Sequence, residues 1–231
     1  MTNIVTPRVC LLAHTTIDEK AISEWMSIQD GSTDAETLLT MAGRNCYRSF
    51  HRPNEATYND ADYLRRTLEQ QGHWSIAEHA TATLYFTGVS RAFLAELTRH
   101  RHLSFSVESQ RFINANDANI VLPPAVRNIP GLQEDCRISA EAAIYDYVII
   151  KSGLDHLPKK QRNEAARGIL PNCIETRMVV TGNLRAWNEV IQRRTQPDAD
   201  AEMQEVMRLA KAELHTVSPI IFPKENTNDR K

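Results

Sequence analysis

Residues 80–111, ATATLYFTGVSRAFLAELTRHRHLSFSVESQR, hold a strand pattern, a helix pattern and a basic cluster in direct succession. Apolar residues alternate with threonine and tyrosine over residues 80–87, which predicts a half-buried strand. Ser90 is a typical helix N-cap, and the apolar residues after it recur at helical spacing up to Leu97. We expect this helix to end near residues 99–102, with the basic cluster at its end and in the loop that follows.

The remaining patterns predict a mixed α and β fold around that stretch. Thr33 and Glu36 form a capping-box signature for a helix that runs through Ala42. Two further strands are predicted at residues 8–13 and 173–181. Further helices are predicted over residues 60–71, 137–151, 158–170, 183–195 and 198–215. We therefore expect an α+β fold, a mixed sheet flanked by five or six helices, in one domain over residues 1–231, with two smaller domains as the alternative.

The composition is that of an ordinary globular protein, with 231 residues of which 42% are hydrophobic and 24% charged. No run approaches the ~18 apolar residues of a membrane helix, and residues 1–8 lack a signal-peptide pattern. We therefore expect a cytoplasmic protein that contacts no membrane. The net charge of −2 argues against a dedicated duplex-binding protein. Residues 159–194, however, hold eight basic against three acidic side chains, which predicts a small anionic ligand.

Several common site motifs are absent from the sequence. The nearest two glycines, Gly31 and Gly43, are twelve residues apart, so neither GxGxxG nor a P-loop is present. The sequence also lacks GxSxG, HExxH and any CxxC pair, and His100 with His102 is a weak metal signal. We therefore expect no metal site and no nucleotide held by a glycine-rich loop.

The segment RHRHLSFSVESQR, residues 99–111, is the strongest candidate for a ligand site. Arginine presents a charged planar fork that binds phosphate, or the carbonyl edge of a pyrimidine, through two parallel hydrogen bonds. The alternative interpretation of this segment is a solvated basic surface. Ion pairs on helix faces are likewise the alternative for Arg167 and its neighbouring arginines. A buried aromatic turn is the alternative for HWSIAEH, residues 73–79.

Taken together, these segments resemble the flavin-dependent thymidylate synthases, the ThyX family. The family signature, RHR followed by seven residues and Ser, falls on residues 99–101 and on Ser109. Three further segments match in the family's order: GHWSIAEH (72–79), ARGILP (166–171) and TGNLRAW (181–187). The resemblance covers residues 40–210. It implies a homotetrameric ThyX-like enzyme that methylates dUMP to dTMP, with methylenetetrahydrofolate as one-carbon donor, FAD as relay, NADPH as reductant and no protein nucleophile.

The resemblance also implies roles for individual residues. The implied FAD contacts are Ser75, Arg99, His100, Arg101, Val107, Asn183, Arg185 and Glu189. The implied nucleotide contacts are Glu96, Arg99, Ser109, Gln110, Arg111, Arg167 and Arg194. Among these, Arg111 and Arg167 suit a phosphate dianion. Arg194, which stays charged, suits an N3-deprotonated pyrimidine and is the predicted catalytic residue.

Two other functions remain open at this stage. The first is a catalytically degenerate, nucleotide-binding relative that has lost its flavin. The second is an RNA-binding protein built on the same arginines, which the charge balance and the absence of an aromatic-rich RNP-like strand make less favourable. Bound flavin distinguishes the enzyme from both alternatives.

Overall fold

The computed structural model describes residues 2–224, which adopt the α+β fold expected from the sequence. The strands are β1 Ile4–Val5, β2 Arg8–His14, β3 Thr81–Ser90, β4 Ser104–Val107, β5 Ile120–Val121 and β6 Glu175–Asn183. The helices are α1 Glu19–Ser23, α2 Asp34–Asn45, α3 Asp60–Leu64, α4 Arg91–Leu97, α5 Pro130–Gly153, α6 Lys159–Ala166, α7 Leu184–Arg194 and α8 Ala201–Leu214. Strands β2, β3, β6 and β4 form, in that order, an antiparallel sheet, whereas β1 and β5 pair in parallel.

The three predicted strands are confirmed, with ends that differ from the prediction by up to three residues. The segment after the basic cluster, expected to be a loop, is instead strand β4. Its residues Phe105 and Val107 pack against the main core, and the strand pairs with β6. Four residues are too few for alternation alone to indicate a strand, so the pairing with β6 decides the conformation.

The helices follow their capping signals. Thr33 and Glu36 form the predicted capping box, and the Ser90 hydroxyl accepts a hydrogen bond from the Phe93 amide at 3.0 Å. Helix α5 begins seven residues earlier than predicted, because Pro130 stands in its first turn, where a missing amide hydrogen costs nothing. The helix predicted over residues 60–71 consists of α3 followed by a π-helical segment, Arg65–Gln70.

Helix α6 is also shorter than predicted. It ends at Ala166, and the chain continues in a 3-10 turn, Arg167–Ile169, before Pro171. The two closing helices are confirmed as α7 and α8. Across residues 2–224, none of the helices combines the length and apolar character that crossing a bilayer requires.

The main core lies between the four-stranded sheet and helices α7 and α8. It includes side chains from the inward face of β3 and β6, together with the fully buried Trp187, whose indole N–H donates to the Ala82 carbonyl at 3.0 Å. A smaller cluster packs beneath α5, with Ile120, Ala140 and Ile144. The buried indole joins a large apolar surface to a satisfied polar group, which fixes α7 on the sheet.

The connections of β3 and β6 determine where α4 and α7 meet. The register pairs Thr81 with Asn183 and Ser90 with Glu175, so α4 and α7 start at opposite ends of the sheet. Their C-terminal ends come together, where side chains of α7 contact residues of α4 and the turn after it. Gly182 permits this packing, because a Cβ there would lie 2.4 Å from Cδ2 of Leu103. The basic cluster is thereby held beside the end of α7.

Candidate active site

Arg194, the last residue of α7, is held by three hydrogen bonds at the junction of α4 and α7. Its Nε donates to Nε2 of His100 at 2.8 Å, and its Nη1 donates to Oε2 of Glu96 at 3.0 Å. Its Nη2 also donates to the Glu96 main-chain carbonyl at 3.4 Å. Only 16% of the Arg194 side chain is exposed. The guanidinium is therefore fixed in orientation before any ligand arrives.

The contact with Arg194 determines the protonation of His100. A guanidinium nitrogen only donates, so Nε2 of His100 must be the acceptor and the ring proton must lie on Nδ1. Burial lowers the pKa of His100, and the positive charges of Arg194, Arg193 and Arg99 lower it further, whereas Glu96 acts in the opposite direction. His100 is therefore neutral near pH 7, with a donor on Nδ1.

Two adjoining cavities border this cluster. The first, of about 280 Å³, lies against residues 99–103 and against Ala186, Glu189, Val190 and Arg193 of α7. The second, of about 360 Å³, lies between residues 72–75 and the side chains of Arg185, Asn188, Glu189 and Gln192. Glu189 lines both. We refer to them as the RHR cavity and the Ser75 cavity.

Six of the eight implied FAD contacts line these two cavities: Arg99, His100 and Arg101 with Glu189 in the RHR cavity, and Ser75 with Arg185 in the Ser75 cavity. Two do not. The Asn183 side chain caps α7 by accepting from the Ala186 amide at 2.8 Å, and Val107 lies in β4 and packs against the main core. The fold therefore brings together six implied FAD contacts that are spread over 115 positions of the sequence, from Ser75 to Glu189.

Arg185 is occupied by two carboxylates. Its Nη1 donates to Glu78 at 2.6 Å and its Nε donates to Glu189 at 3.0 Å. These hydrogen bonds raise the pKa of Arg185. All three side chains are at least 41% exposed, so solvent screens the network. An anionic ligand that binds Arg185 therefore competes with Glu78 and Glu189.

Four other implied nucleotide contacts lie outside the hydrogen-bonded cluster of Arg194 among the described residues. Ser109, Gln110 and Arg111 lie in the turn after β4, where the Ser109 carbonyl accepts from the amides of Phe112 and Ile113. The guanidinium of Arg111 lies 5.7 Å from the centre of the Phe112 ring. Arg167 begins the 3-10 turn after α6, and it is exposed. Within residues 2–224, no hydrogen bond or ion pair joins this group to Glu96, His100 or Arg194.

Arg91 contacts Glu108 at the end of β4 and lies within the electrostatic range of Arg167, and the sequence interpretation missed it. Its Nη2 donates to the Glu108 carbonyl at 2.9 Å, and its buried Nε has no partner among the described residues. Burial lowers the pKa of Arg91, Glu108 raises it, and the positive charge of Arg167 lowers it. One sequence signal could have identified it: Arg91 directly follows the N-cap Ser90. A cation in the first turn of a helix is unfavourable to the helix dipole, which indicates a role other than helix stability.

The interpretation of residues 73–79 as a buried aromatic turn is correct in part. Trp74–Glu78 is a 3-10 helix, in which Ile76 and Ala77 are buried while His73, Ser75 and Glu78 are exposed. The apolar residues anchor the turn to the core, whereas His73 and Ser75 line the Ser75 cavity. The alternative interpretation of residues 99–111, a solvated basic surface, does not describe His100, which is half-buried and bonded to Arg194.

Comparison with known proteins identifies the family. Residues 28–220 match the family described as "Thymidylate synthase complementing protein". The chain is 46% identical over 196 residues to a probable flavin-dependent thymidylate synthase of Mycobacterium phage L5, covering 82% of this chain and 80% of the relative. It is 41% identical over 231 residues to a flavin-dependent thymidylate synthase of Mycobacteroides abscessus, covering 96% and 91%.

The fold has counterparts among solved structures. A flavin-dependent thymidylate synthase of Helicobacter pylori, complexed with FAD and dUMP, aligns with a TM-score of 0.70 at 20% identity, covering 94% of this chain and 98% of that one. A UMP/dUMP methylase of Streptomyces cacaoi, bound with 5-Br dUMP, also aligns with a TM-score of 0.70, at 18% identity and 95% coverage of both chains. The fold, the family match and the two close relatives agree, and the chain belongs to the flavin-dependent thymidylate synthases.

Proposed function

We propose that this chain converts dUMP to dTMP with FAD, NADPH and methylenetetrahydrofolate, in the cytoplasm and as a homotetramer. The observation that carries the proposal is the fixed guanidinium of Arg194, bonded to Glu96 and His100 beside a cavity lined by the RHR segment. The phage L5 and Mycobacteroides abscessus relatives are named as enzymes of this type, and the Helicobacter pylori structure is described with FAD and dUMP.

The RHR and Ser75 cavities fit a flavin in their donor set. Arg99, Arg101 and the Nδ1–H of His100 are donors that suit the carbonyl edge of the flavin ring, and Arg185 with the Ser75 hydroxyl suits a diphosphate. When bound, FAD supplies the relay of the one-carbon unit and the reducing equivalents. Because Glu78 and Glu189 already occupy Arg185, we expect FAD to bind with moderate affinity.

The fixed cation at Arg194 supports the predicted catalytic role. A guanidinium beside the pyrimidine favours the N3-deprotonated ring, which increases electron density at C5, the atom that gains the methyl group. Its hydrogen bonds with Glu96 and His100 orient this charge in advance, so no reorganisation is required during reaction. Among the described residues, no cysteine lines the RHR cavity or the Ser75 cavity, which supports a mechanism without a protein nucleophile.

The turn after β4 supports a phosphate site. Arg111 and Arg167 supply positive charge, and Ser109 with Gln110 supplies neutral donors. No carboxylate forms an ion pair with Arg111 or Arg167 among residues 2–224. Arg91, with its free buried Nε, adds charge beside Arg167. A phosphate dianion would compensate a cationic group that the chain itself leaves uncompensated.

The separation of the two groups supports a shared site between subunits. Among residues 2–224, no hydrogen bond or ion pair joins Arg194 and its partners to the turn after β4, although the proposed nucleotide needs both. A homotetramer would bring the turn of one subunit to the Arg194 cluster of another. Large apolar side chains exposed on α5, among them Ile138, Tyr145 and Ile149, provide surface for such association.

The proposal is tested by dTMP formation from dUMP with FAD, NADPH and methylenetetrahydrofolate, each omitted in turn. We expect product only in the complete mixture. Product without flavin or NADPH would contradict the proposal, because it would require a protein nucleophile. Binding of dUMP without any product and without flavin would instead identify a degenerate nucleotide-binding relative. Sedimentation as a monomer would contradict the homotetramer.

A further inference from the structure

A buried asparagine, Asn163 of α6, contacts the main chain of both arginines of the proposed phosphate site. It is 0% exposed, and its Nδ2 donates to the main-chain carbonyl of Arg111 at 3.2 Å. Its own main-chain carbonyl accepts from the amide of Arg167, the residue that follows α6. No local pattern indicates the first of these contacts, because Asn163 and Arg111 are 52 positions apart in the sequence. Asn163 therefore joins two segments that the fold brings together.

Tyr147 of α5 contacts the other end of the Asn163 amide. The Arg111 carbonyl can only accept, so the nitrogen of the amide must face it and the oxygen must face the other way. On that other side the hydroxyl of Tyr147, which is also 0% exposed, donates to Oδ1 of Asn163 at 3.2 Å. Burial raises the pKa of Tyr147, so the hydroxyl keeps the proton that it donates. Both ends of the buried amide therefore have a partner, and its orientation is fixed.

Helix α5 holds the same segment a second time, further along the chain. Lys151, one turn after Tyr147, donates from Nζ to Oδ1 of Asn114 at 2.6 Å and to Oδ1 of Asn116 at 2.7 Å. The Tyr147 hydroxyl also lies 3.5 Å from Oδ1 of Asn114. The chain that follows β4 is thus attached to α6 at residue 111 and to α5 at residues 114 and 116.

The main chain at the proposed phosphate site is therefore fixed, while its cationic side chains have no carboxylate partner. The guanidinium groups of Arg111 and Arg167 make no ion pair among residues 2–224. Such side chains reach only as far as their main chain allows, so the spacing of the two main chains decides whether both reach one dianion. An apolar residue of the same size would fill the space of Asn163, but it would leave the Arg111 carbonyl and the Tyr147 hydroxyl without this partner.

We propose that Asn163, oriented by Tyr147, is a positioning residue that sets the spacing at which Arg111 and Arg167 bind the phosphate of the nucleotide. The inference rests on the proposed function for the identity of that nucleotide. Asn163 is completely buried, so it has no surface for the substrate and acts through the arginines. Its loss should weaken dUMP binding without slowing the chemical step, which takes place at the pyrimidine.

The test compares two variants of the clamp. Asn163→Leu keeps the size of the side chain and removes both of its hydrogen bonds, whereas Tyr147→Phe removes only the donor to Oδ1. Calorimetry and steady-state kinetics should show that N163L raises the Kd and the KM of dUMP about five-fold, while kcat changes less than about two-fold. Y147F should raise both constants about two-fold. Thermal melting verifies folding, and Y147F carries the test if N163L does not fold.

Thr40→Val is the matched control. Thr40 lies in α2, it is likewise 0% exposed, and its hydroxyl has no partner among the described residues. The variant also replaces a buried polar side chain by an apolar one of the same shape, but it does not contact the turn after β4. We therefore expect T40V to leave the Kd and the KM of dUMP unchanged.

A double variant separates the positioning role from a general structural one. If Asn163 acts through Arg111, N163L in the Arg111→Ala background should raise the KM of dUMP by less than about two-fold, because the contact that it supports is already lost. An equal rise in both backgrounds would overturn the proposal. A KM unchanged by N163L and Y147F, or a loss confined to kcat, would also overturn it.

The same measurements separate this inference from the proposed function. A wild type that binds dUMP but makes no dTMP contradicts the proposed function. Weaker dUMP binding by N163L than by that wild type still supports the positioning role. Normal turnover by the wild type, together with unchanged dUMP binding by N163L, overturns the positioning role alone.

Discussion

Arg194 and Arg111 are both implied nucleotide contacts, yet the structure holds them in opposite ways. Arg194 is bonded to Glu96 and His100 and is mostly buried. The Arg111 guanidinium lies near the ring of the exposed Phe112 and has no ion pair among the described residues. A guanidinium that is already held by hydrogen bonds stabilises a transition state without reorganisation, whereas a guanidinium without such bonds can adjust its position to a bound anion. The comparison indicates that Arg194 acts on the reacting ring, while Arg111 contributes to binding of the ground state.

The largest expected effect is that of Arg194→Ala. We expect kcat to fall by at least about 100-fold, because a preorganised donor to developing charge is lost. FAD absorbance should persist in the purified variant, since Arg194 does not line the flavin cavities. Steady-state dTMP formation, with flavin content measured on the same sample, verifies both statements. Substantial turnover by this variant would remove Arg194 from the catalytic role.

Arg111→Ala sharpens the comparison from the other side. This variant removes a charged contact to the phosphate, and that contact stabilises the bound substrate and the transition state equally. The KM of dUMP should therefore rise by roughly ten-fold with little change in kcat. Titration of dUMP at saturating co-substrates measures the two constants separately. A fall in kcat as large as that of Arg194→Ala would show that the two arginines act alike and would end the distinction.

His100→Gln tests how the fixed arginine depends on pH. Folding lowers the pKa of His100. The neutral ring therefore contributes to the stability of the folded protein at pH values above the unfolded pKa of about 6.5. This contribution is lost as the pH falls through the pKa of the folded state. Protonated Nε2 cannot accept from Arg194. We expect the kcat of the wild type to decline at acidic pH. In His100→Gln the amide oxygen still accepts from Arg194, so we expect kcat to be a few-fold lower at neutral pH but to show no such acidic decline. An unchanged acidic decline would exclude His100 as its source.

Glu189→Gln has the smallest expected effect. Removing this carboxylate leaves Arg185 with Glu78 as its one carboxylate partner among the described residues, and it takes a negative charge from the wall that the RHR and Ser75 cavities share. Because the pair is exposed and screened, we expect FAD to bind only about two- to five-fold more tightly. Quenching of flavin fluorescence measures the Kd, with Glu205→Gln, outside both cavities, as control. Weaker binding of FAD would show that Glu189 itself contacts the cofactor.

Much of the fold and part of the candidate site could be predicted from local patterns. Alternation over residues 80–87 and the caps at Thr33 and Ser90 predicted strands and helix starts, because these signals depend on neighbours within a few residues. The RHR signature likewise identified the family that the comparisons confirm. Strand β4 was missed because its four residues carry too little local signal.

The sequence by itself therefore determined the family, the helix caps, the main strands and the residue types that suit an anionic ligand. Only the tertiary structure decided which of those residues meet. Arg194 reaches His100 across 94 positions of sequence, and Arg185 reaches Glu78 across 107. Such contacts arise from the packing of α4 and α7 on the ends of antiparallel strands, and no local periodicity encodes them.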